Sequence, residues 1–331
     1  MLRRLFIPLS VGVLLALGAG CSRRSSGDGS SPGSAAGRKK FYWVQAVKGV
    51  PVSQLTQMGF REGCTKLGYN SEVVGTNGPD IAGTVALAEQ ALAKGDAAGM
   101  AVWAGTPAFN LLIEQAVKMH VPVILPHFPV PEGSIPGASG VISCDPAVYA
   151  KTAALRIGEL IHGQGTVAIT QGSYNTTENM VAAVFTQTMH ASFPQVKVLA
   201  PQEEGFEPAR AITRAVSILE AHPDVIAALS TTGGGPSTWA NAQRETGRKI
   251  IIIGMDYTRQ NLDLVQKGDV YAIIAQPLWA ESYGSAVLLD KLVHHKPIPW
   301  WTKLPAPLVT KDKLAPYYAL INKVEATVNK Q

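Results

Sequence analysis

FYWVQAVKGVPVSQLTQMGFREGCTKLGYNSEVV, residues 41–74, decides the fold. Phe41–Val47 begins as an apolar run of strand length. Met58–Leu67 has helical spacing and stops at Gly68, a residue type that closes helices in the left-handed conformation. Ser71–Val74 is a second short strand pattern. Strand, helix and strand in so short a stretch make one parallel βαβ unit.

The same rhythm continues downstream. Ala82–Lys94 is helical, with Val85, Ala88 and Leu92 on one face and Gly95 as its stop. Met100–Trp103 is a strand, and Phe109–Met119 is a helix whose Leu112, Ile113, Ala116 and Val117 share one face. Val121–Leu125 and Val141–Ser143 are short strands. A second block starts at Pro146. Its helices are expected over 146–162, 177–192, 208–222, 237–246 and 279–293, with a further helical stretch from Arg259. Its strands are expected over 167–170, 196–199, 225–229, 250–253 and 270–275. Ile212, Ala215, Val216 and Leu219 show the helical period most plainly.

Two such blocks predict an α/β protein with two doubly wound parallel-sheet domains. In sheets of this kind ligands bind beyond the carboxyl ends of the strands. Those ends are Val47–Lys48, Trp103–Ala104, Pro126–His127, Thr170–Gln171, Ser230–Thr231 and Gly254–Asp256. Two rims of this kind facing each other make a cleft.

Composition agrees. The chain has 331 residues, 46% hydrophobic and 16% charged, long enough for two cores and too apolar for a disordered chain. A formal net charge of +5, partly from Arg3 and Arg4, is too mild and too dispersed for a nucleic-acid partner.

Residues 1–20 read as a signal peptide. Arg3 and Arg4 form its basic start, and Leu5–Leu17 is an apolar run too short to span a bilayer comfortably. Gly18, Ala19 and Gly20 then lead to Cys21, which resembles a bacterial lipobox and implies a lipidated Cys21 at the mature N-terminus. An ordinary secretory signal and an uncleaved anchor are the alternatives. Residues 21–39 are rich in Ser, Gly and Arg and read as a flexible tether. Cys64 and Cys144 read as small apolar core residues rather than a disulfide, and there is no zinc-type Cys/His spacing.

Five pieces, in order, carry a family resemblance: GFREGCTKLGYN (59–70), AVKMHVPVI (116–124), AHPDVIAAL (221–229), IIGMDYT (252–258) and AIIAQPLWAESYG (272–284). From about Lys40 to Thr310 the chain resembles the type I periplasmic substrate-binding proteins, close to the ribose-binding group of sugar receptors. The resemblance implies three chain crossings, near Cys144–Asp145, Gln276–Pro277 and Lys303–Leu304. The lobes would be residues 40–144 with 277–303, and 145–276 with 304–331. It implies a monomeric, extracytoplasmic receptor that closes on a small sugar-like ligand and delivers it to the permease of an ABC transporter, without a cofactor.

The resemblance also nominates site residues. Asp256 matches the family's acid after the strand ending in Gly-x-Asp, and Gln276 its amide at the second crossing. A carboxylate accepts hydroxyl hydrogens and an amide both donates and accepts, which suits a polyol. Thr232 stands where Asn is common, and Phe206 matches an aromatic bordering the sugar. His127 and Phe128 replace the family's Asp-Arg pair, and Asn179 replaces its Arg. The Asn after the first strand has no clear counterpart, and Gln45 stands as the candidate there. A pocket with these exchanges favours a neutral hydroxylated ligand over an anion.

Each candidate also has a purely structural reading. Asp256 could cap the helix from Arg259, Gln276 could satisfy hinge backbone, and His127 could be a loop residue among prolines. Phe128 could pack the hinge and Asn179 could face solvent. Trp103, Trp239 and Trp279 suit core or hinge packing, and Gly233–Gly235 suits a tight turn better than a phosphate loop. Enzyme signatures are missing: no Gly-x-Ser-x-Gly, no dinucleotide fingerprint after the first strand. Glu203, Glu204 and Glu207 read as loop acids before a proline-opened helix. A receptor that hands its ligand to a sensor kinase or chemoreceptor is the alternative function.

Overall fold

Lys40–Val44 forms β1, and its Phe41, Tyr42, Trp43 and Val44 are all fully buried. A strand apolar on both faces needs helices above and below it. The structure, a computed structural model, describes residues 40–328, and both needs are met within one compact unit. The expected signal peptide, tether and lipidation at Cys21 lie outside the described residues.

The first sheet has the order β12-β5-β4-β3-β1-β2, all parallel. Its strands are β1, β2 (Asn70–Val74), β3 (Ala97–Val102), β4 (Val123–Pro126), β5 (Gly140–Cys144) and β12 (Trp301–Leu304). Helices α1 (Pro51–Leu67), α2 (Ile81–Ala93) and α3 (Asn110–Lys118) alternate with the first four strands. Gly68 closes α1 with φ 82, as the sequence predicted.

The second domain repeats the plan with α4 (Pro146–Leu160), β6 (Gly165–Gln171), α5 (Thr176–Ser192), β7 (Val196–Val198) and β8 (Gln202–Glu203). It continues through α6 (Pro208–Ala221), β9 (Val225–Ser230), α7 (Gly235–Glu245), β10 (Ile251–Met255), α8 (Arg259–Lys267) and β11 (Ala272–Ile274). Its sheet order is β13-β11-β10-β9-β6-β7, with β8 also beside β6. Strand β13 (Leu308–Thr310) is antiparallel to β11 and closes that edge. Each sheet therefore reverses direction once, between β1 and β3 and between β6 and β9. Such switch points open crevices at the carboxyl ends of the flanking strands.

Helix α9 (Leu278–Val293) leaves the second sheet and returns to the first. Its Ala286, Leu288 and Leu289 join Phe41, Trp43 and Phe60 in one core cluster. The approach of α1 to α9 requires glycine: a Cβ on Gly59 would lie 2.3 Å from the Trp279 carbonyl oxygen and 2.5 Å from Ser282 Oγ. The chain passes between the sheets after β5, after β11 and between β12 and β13. Helix α10 (Ala315–Val328) follows, and its Ile321 and Val324 pack into the second domain's core. The short strands β8, β12 and β13 and helix α10 carry no signal that sequence periodicity picked out.

Candidate ligand-binding cleft

The two switch points face each other. Val52, at the start of α1, comes within 3.5 Å of where a Cβ on Gly233 would sit, just after β9. Leu55 of α1 is buried in the core cluster of the second domain. The residues after β1, β3, β4, β9 and β10 thus line a closed cleft.

On the first rim, Gln45 is 3% exposed, and its Oε1 accepts from Trp43 Nε1 at 2.9 Å and from Thr56 Oγ1 at 3.0 Å. An indole N–H can only donate, so the amide's orientation is fixed and its NH2 is the group left to offer a ligand. His127 follows β4 in the left-handed region, φ 76, a conformation that costs energy for a non-glycine residue. Its ring packs on Trp103 at 4.3 Å between centroids and edge-on to Phe128 at 4.8 Å. Phe128 also closes over Gly105, where a Cβ would meet its ring at 2.9 Å. His127 Nδ1 lies 2.9 Å from Oε1 of Glu281, in the first turn of α9.

On the second rim, Asp256 follows β10, also left-handed with φ 67. Thr258, not Asp256, caps α8, accepting from the Asn261 N–H, so the capping reading of Asp256 is excluded. Asp256 Oδ1 is buried with no hydrogen-bond partner, and Oδ2 lies 2.7 Å from where a Cβ on Gly233 would sit. Thr232 donates to Oε1 of Glu204 at 2.5 Å, so toward a ligand its hydroxyl acts as an acceptor. Phe206 is 74% exposed and covers Gly172, where a Cβ would meet its ring at 2.4 Å and the Thr232 methyl at 2.9 Å.

Burial pushes the Asp256 carboxyl up to about 7; nearby His127 works against this and Glu281 adds to it. For His127 burial disfavours the charge, but the attraction of Glu281, its hydrogen bond and Asp256 together hold the imidazole above its ordinary value. Burial likewise raises Glu204, against its hydrogen bonds from Thr170, Thr232 and Ser230. Cys64 and Cys144 are free, buried thiols.

Asp256, His127, Phe128, Thr232 and Gln45 therefore sit on the facing rims, with Phe206 beside Thr232. Gln276 is buried at the second crossing, near the Cys144 thiol. Asn179 stands apart: it is exposed on α5, accepts from Gln171 Nε2 at 3.1 Å, and lines an outer groove with Tyr174, Thr186 and His190. Sequence reasoning left out Glu281, fully buried on α9, and treated Glu204, 2% exposed, as a loop acid. Glu281 had a readable signal, because it shares the helical stripe of Leu278, Ser282, Ser285 and Leu289. Glu204 had none, since strand β8 before it is two residues long. Among the described residues no group of three His, Cys, Asp or Glu could hold a metal ion, and no helix is long and apolar enough to cross a membrane.

Comparison with known proteins agrees with this architecture. A glucose-galactose binding protein from Geobacillus stearothermophilus, GanP, superposes with a TM-score of 0.77 at 22% identity, over 84% of this chain and 99% of that one. A sugar-binding protein of a sugar ABC transporter from Bacillus halodurans gives 0.78 at 24% identity, over 85% and 100%. A D-apiose import binding protein from Actinobacillus succinogenes is 26% identical over 119 residues, which is 34% of this chain and only 38% of that relative. Residues 41–297 match the family model described as a periplasmic binding protein domain. The chain belongs to the periplasmic binding protein family.

Proposed function

We propose that the protein is the receptor of an ABC importer for a small, neutral, polyhydroxylated solute of the sugar class. The observation that carries this is the partnerless buried oxygen Oδ1 of Asp256 at the facing switch points. A buried acceptor without a donor is costly, and a ligand hydroxyl supplies the donor. Thr232 adds an acceptor, Gln45 and Gln276 add amides, and Phe128 and Phe206 offer apolar faces. Relatives of the same fold were solved with D-arabinose, D-allose and D-fucose bound, which supports the solute class.

The bodies that close are residues 40–144 with 277–303, and 145–276 with 304–331. The protein works as a monomer, held to the membrane by lipid on Cys21, and returns its ligand chemically unchanged. Asn179 bears on the site only through Gln171, from whose Nε2 it accepts.

Thermal-shift screening against D-apiose, D-arabinose, D-allose, D-fucose and D-tagatose tests the reading, because a ligand of the folded form raises the melting temperature with concentration. Calorimetry should then give one site per chain. Asp256→Ala should bind the hit roughly ten- to a hundredfold more weakly, about 1.5–3 kcal/mol, and Gln276→Ala should also weaken it. An anion as best ligand, or full affinity in Asp256→Ala, would sink the assignment. Cys21→Ala should release the protein from membranes.

A further inference from the structure

We propose that Glu281, on the hinge helix α9, is a positioning residue of the cleft: it anchors His127 through Nδ1 and thereby fixes which edge of the imidazole, and with which proton, meets a bound solute.

The geometry of α9 is the first reason. Its inward stripe is Leu278, Ser282, Ser285, Ala286 and Leu289, with Glu281 as the one acid among them. Glu281 is 0% exposed; its Oε1 takes the His127 contact at 2.9 Å and its Oε2 has no partner. A carboxylate buried only to hold helices together is expected to satisfy both oxygens, because a half-paired buried acid destabilises the fold.

The setting of His127 is the second reason. Its left-handed backbone turns the side chain after Pro126 against Trp103 and Phe128, which hold both the tilt and the edge of the ring. With Nδ1 on Glu281 and 14% of the side chain still exposed, Nε2 is the polar atom left for a solute.

The charges around the ring complete the argument. Glu281 faces it from α9, and Asp256 from the loop after β10. Cys144 and Tyr257 also feel both acids and Tyr149 feels Asp256, and burial raises all three, so they stay neutral near pH 7. The contact with Glu281 favours the doubly protonated ring, and in that form Nε2 is a donor. A donor on one rim and the bare Asp256 Oδ1 on the other match two hydroxyls of one solute, the first accepting and the second donating. The solute class in that last step rests on the sugar reading above; the anchoring of His127 does not.

Histidine NMR on the ligand-free protein tests the anchoring, with His127→Gln identifying the resonance. His127 should titrate above the ordinary value of 6.5 in the parent and clearly lower in the isosteric Glu281→Gln, where burial and Asp256 remain and the attraction of Glu281 is gone. A parent midpoint at or below 6.5 overturns the proposal without any variant. So does a midpoint that Glu281→Gln leaves unmoved. D-arabinose, D-allose and D-fucose are then titrated between about pH 5.5 and about pH 8.5, the range a perturbed histidine covers. Glu281→Gln should weaken a sugar that the parent binds about tenfold at a pH between the two midpoints, with the loss shrinking toward either end of the range. An equal loss at every pH means a structural role and overturns the proposal. If none of these sugars binds the parent, the sugar reading loses its support while the midpoint still decides the anchoring.

Discussion

Thr232 and Glu204, 28 residues apart in the chain, meet at 2.5 Å, and Ser230 shares the same acceptor oxygen at 2.9 Å. One buried carboxyl thus sets the direction of both hydroxyls at the end of β9. Glu204→Ala should leave the two hydroxyls without their acceptor and cost roughly 1–3 kcal/mol in urea unfolding. Glu204→Gln keeps an acceptor oxygen and should cost less. Equal stability of parent and Glu204→Ala would show that the pair is not formed in solution.

Asp256 gives the protein a defined pH dependence. Its carboxyl moves from an ordinary 3.8 to about 7 in the closed, ligand-free form. An acid raised in the folded state binds its proton more tightly there than in the unfolded chain. Stability is therefore highest at low pH with respect to this group, falls as pH rises past 3.8, and reaches its full loss above about 7. That loss is on the order of a few kcal/mol, capped by the ease of opening the cleft. Asp256→Asn should melt higher than the parent above neutrality, with the gap closing toward about pH 4. A gap independent of pH would contradict the buried carboxyl.

The contact of α1 with α9 leaves no room for a methyl group. Gly59→Ala places its Cβ against the Trp279 carbonyl, and Gly63→Ala places one 2.9 Å from the Tyr283 carbonyl. Backbone atoms cannot step aside as flexible side chains do. Each substitution should destabilise by about 1–3 kcal/mol, read as a lower melting temperature. An unchanged melting temperature in Gly59→Ala would mean that the helices lie farther apart.

Phe206 separates binding from folding. At 74% exposure its removal takes little from the core, so Phe206→Ala should stay within about 0.5 kcal/mol of the parent in stability. If the ring covers a solute beside Thr232, the same variant should bind the sugar hit more weakly. Unchanged affinity would leave Phe206 as a cover for Gly172 alone.

Sequence by itself determined the two-sheet plan. The apolar runs at Phe41–Val44, Val225–Leu229 and Ile251–Ile253 are strands, and the amphipathic stretch 208–222 is helix α6 almost to the residue. Periodicity and stop signals are local, so they survive without knowledge of the fold. Strand-end positions followed from the same reading and include His127 and Asp256, while Thr232 and the roles of all three came from the family resemblance. The contacts between them were decided only by tertiary structure. The meeting of His127 with Glu281 joins residues 154 apart, and that of Thr232 with Glu204 depends on a two-residue strand. Edge strands β12 and β13 likewise exist because a neighbouring strand supplies their hydrogen bonds. Which polar oxygens are bonded, and which stay buried and bare, is set by how the two domains close on each other; no window of sequence contains that distance.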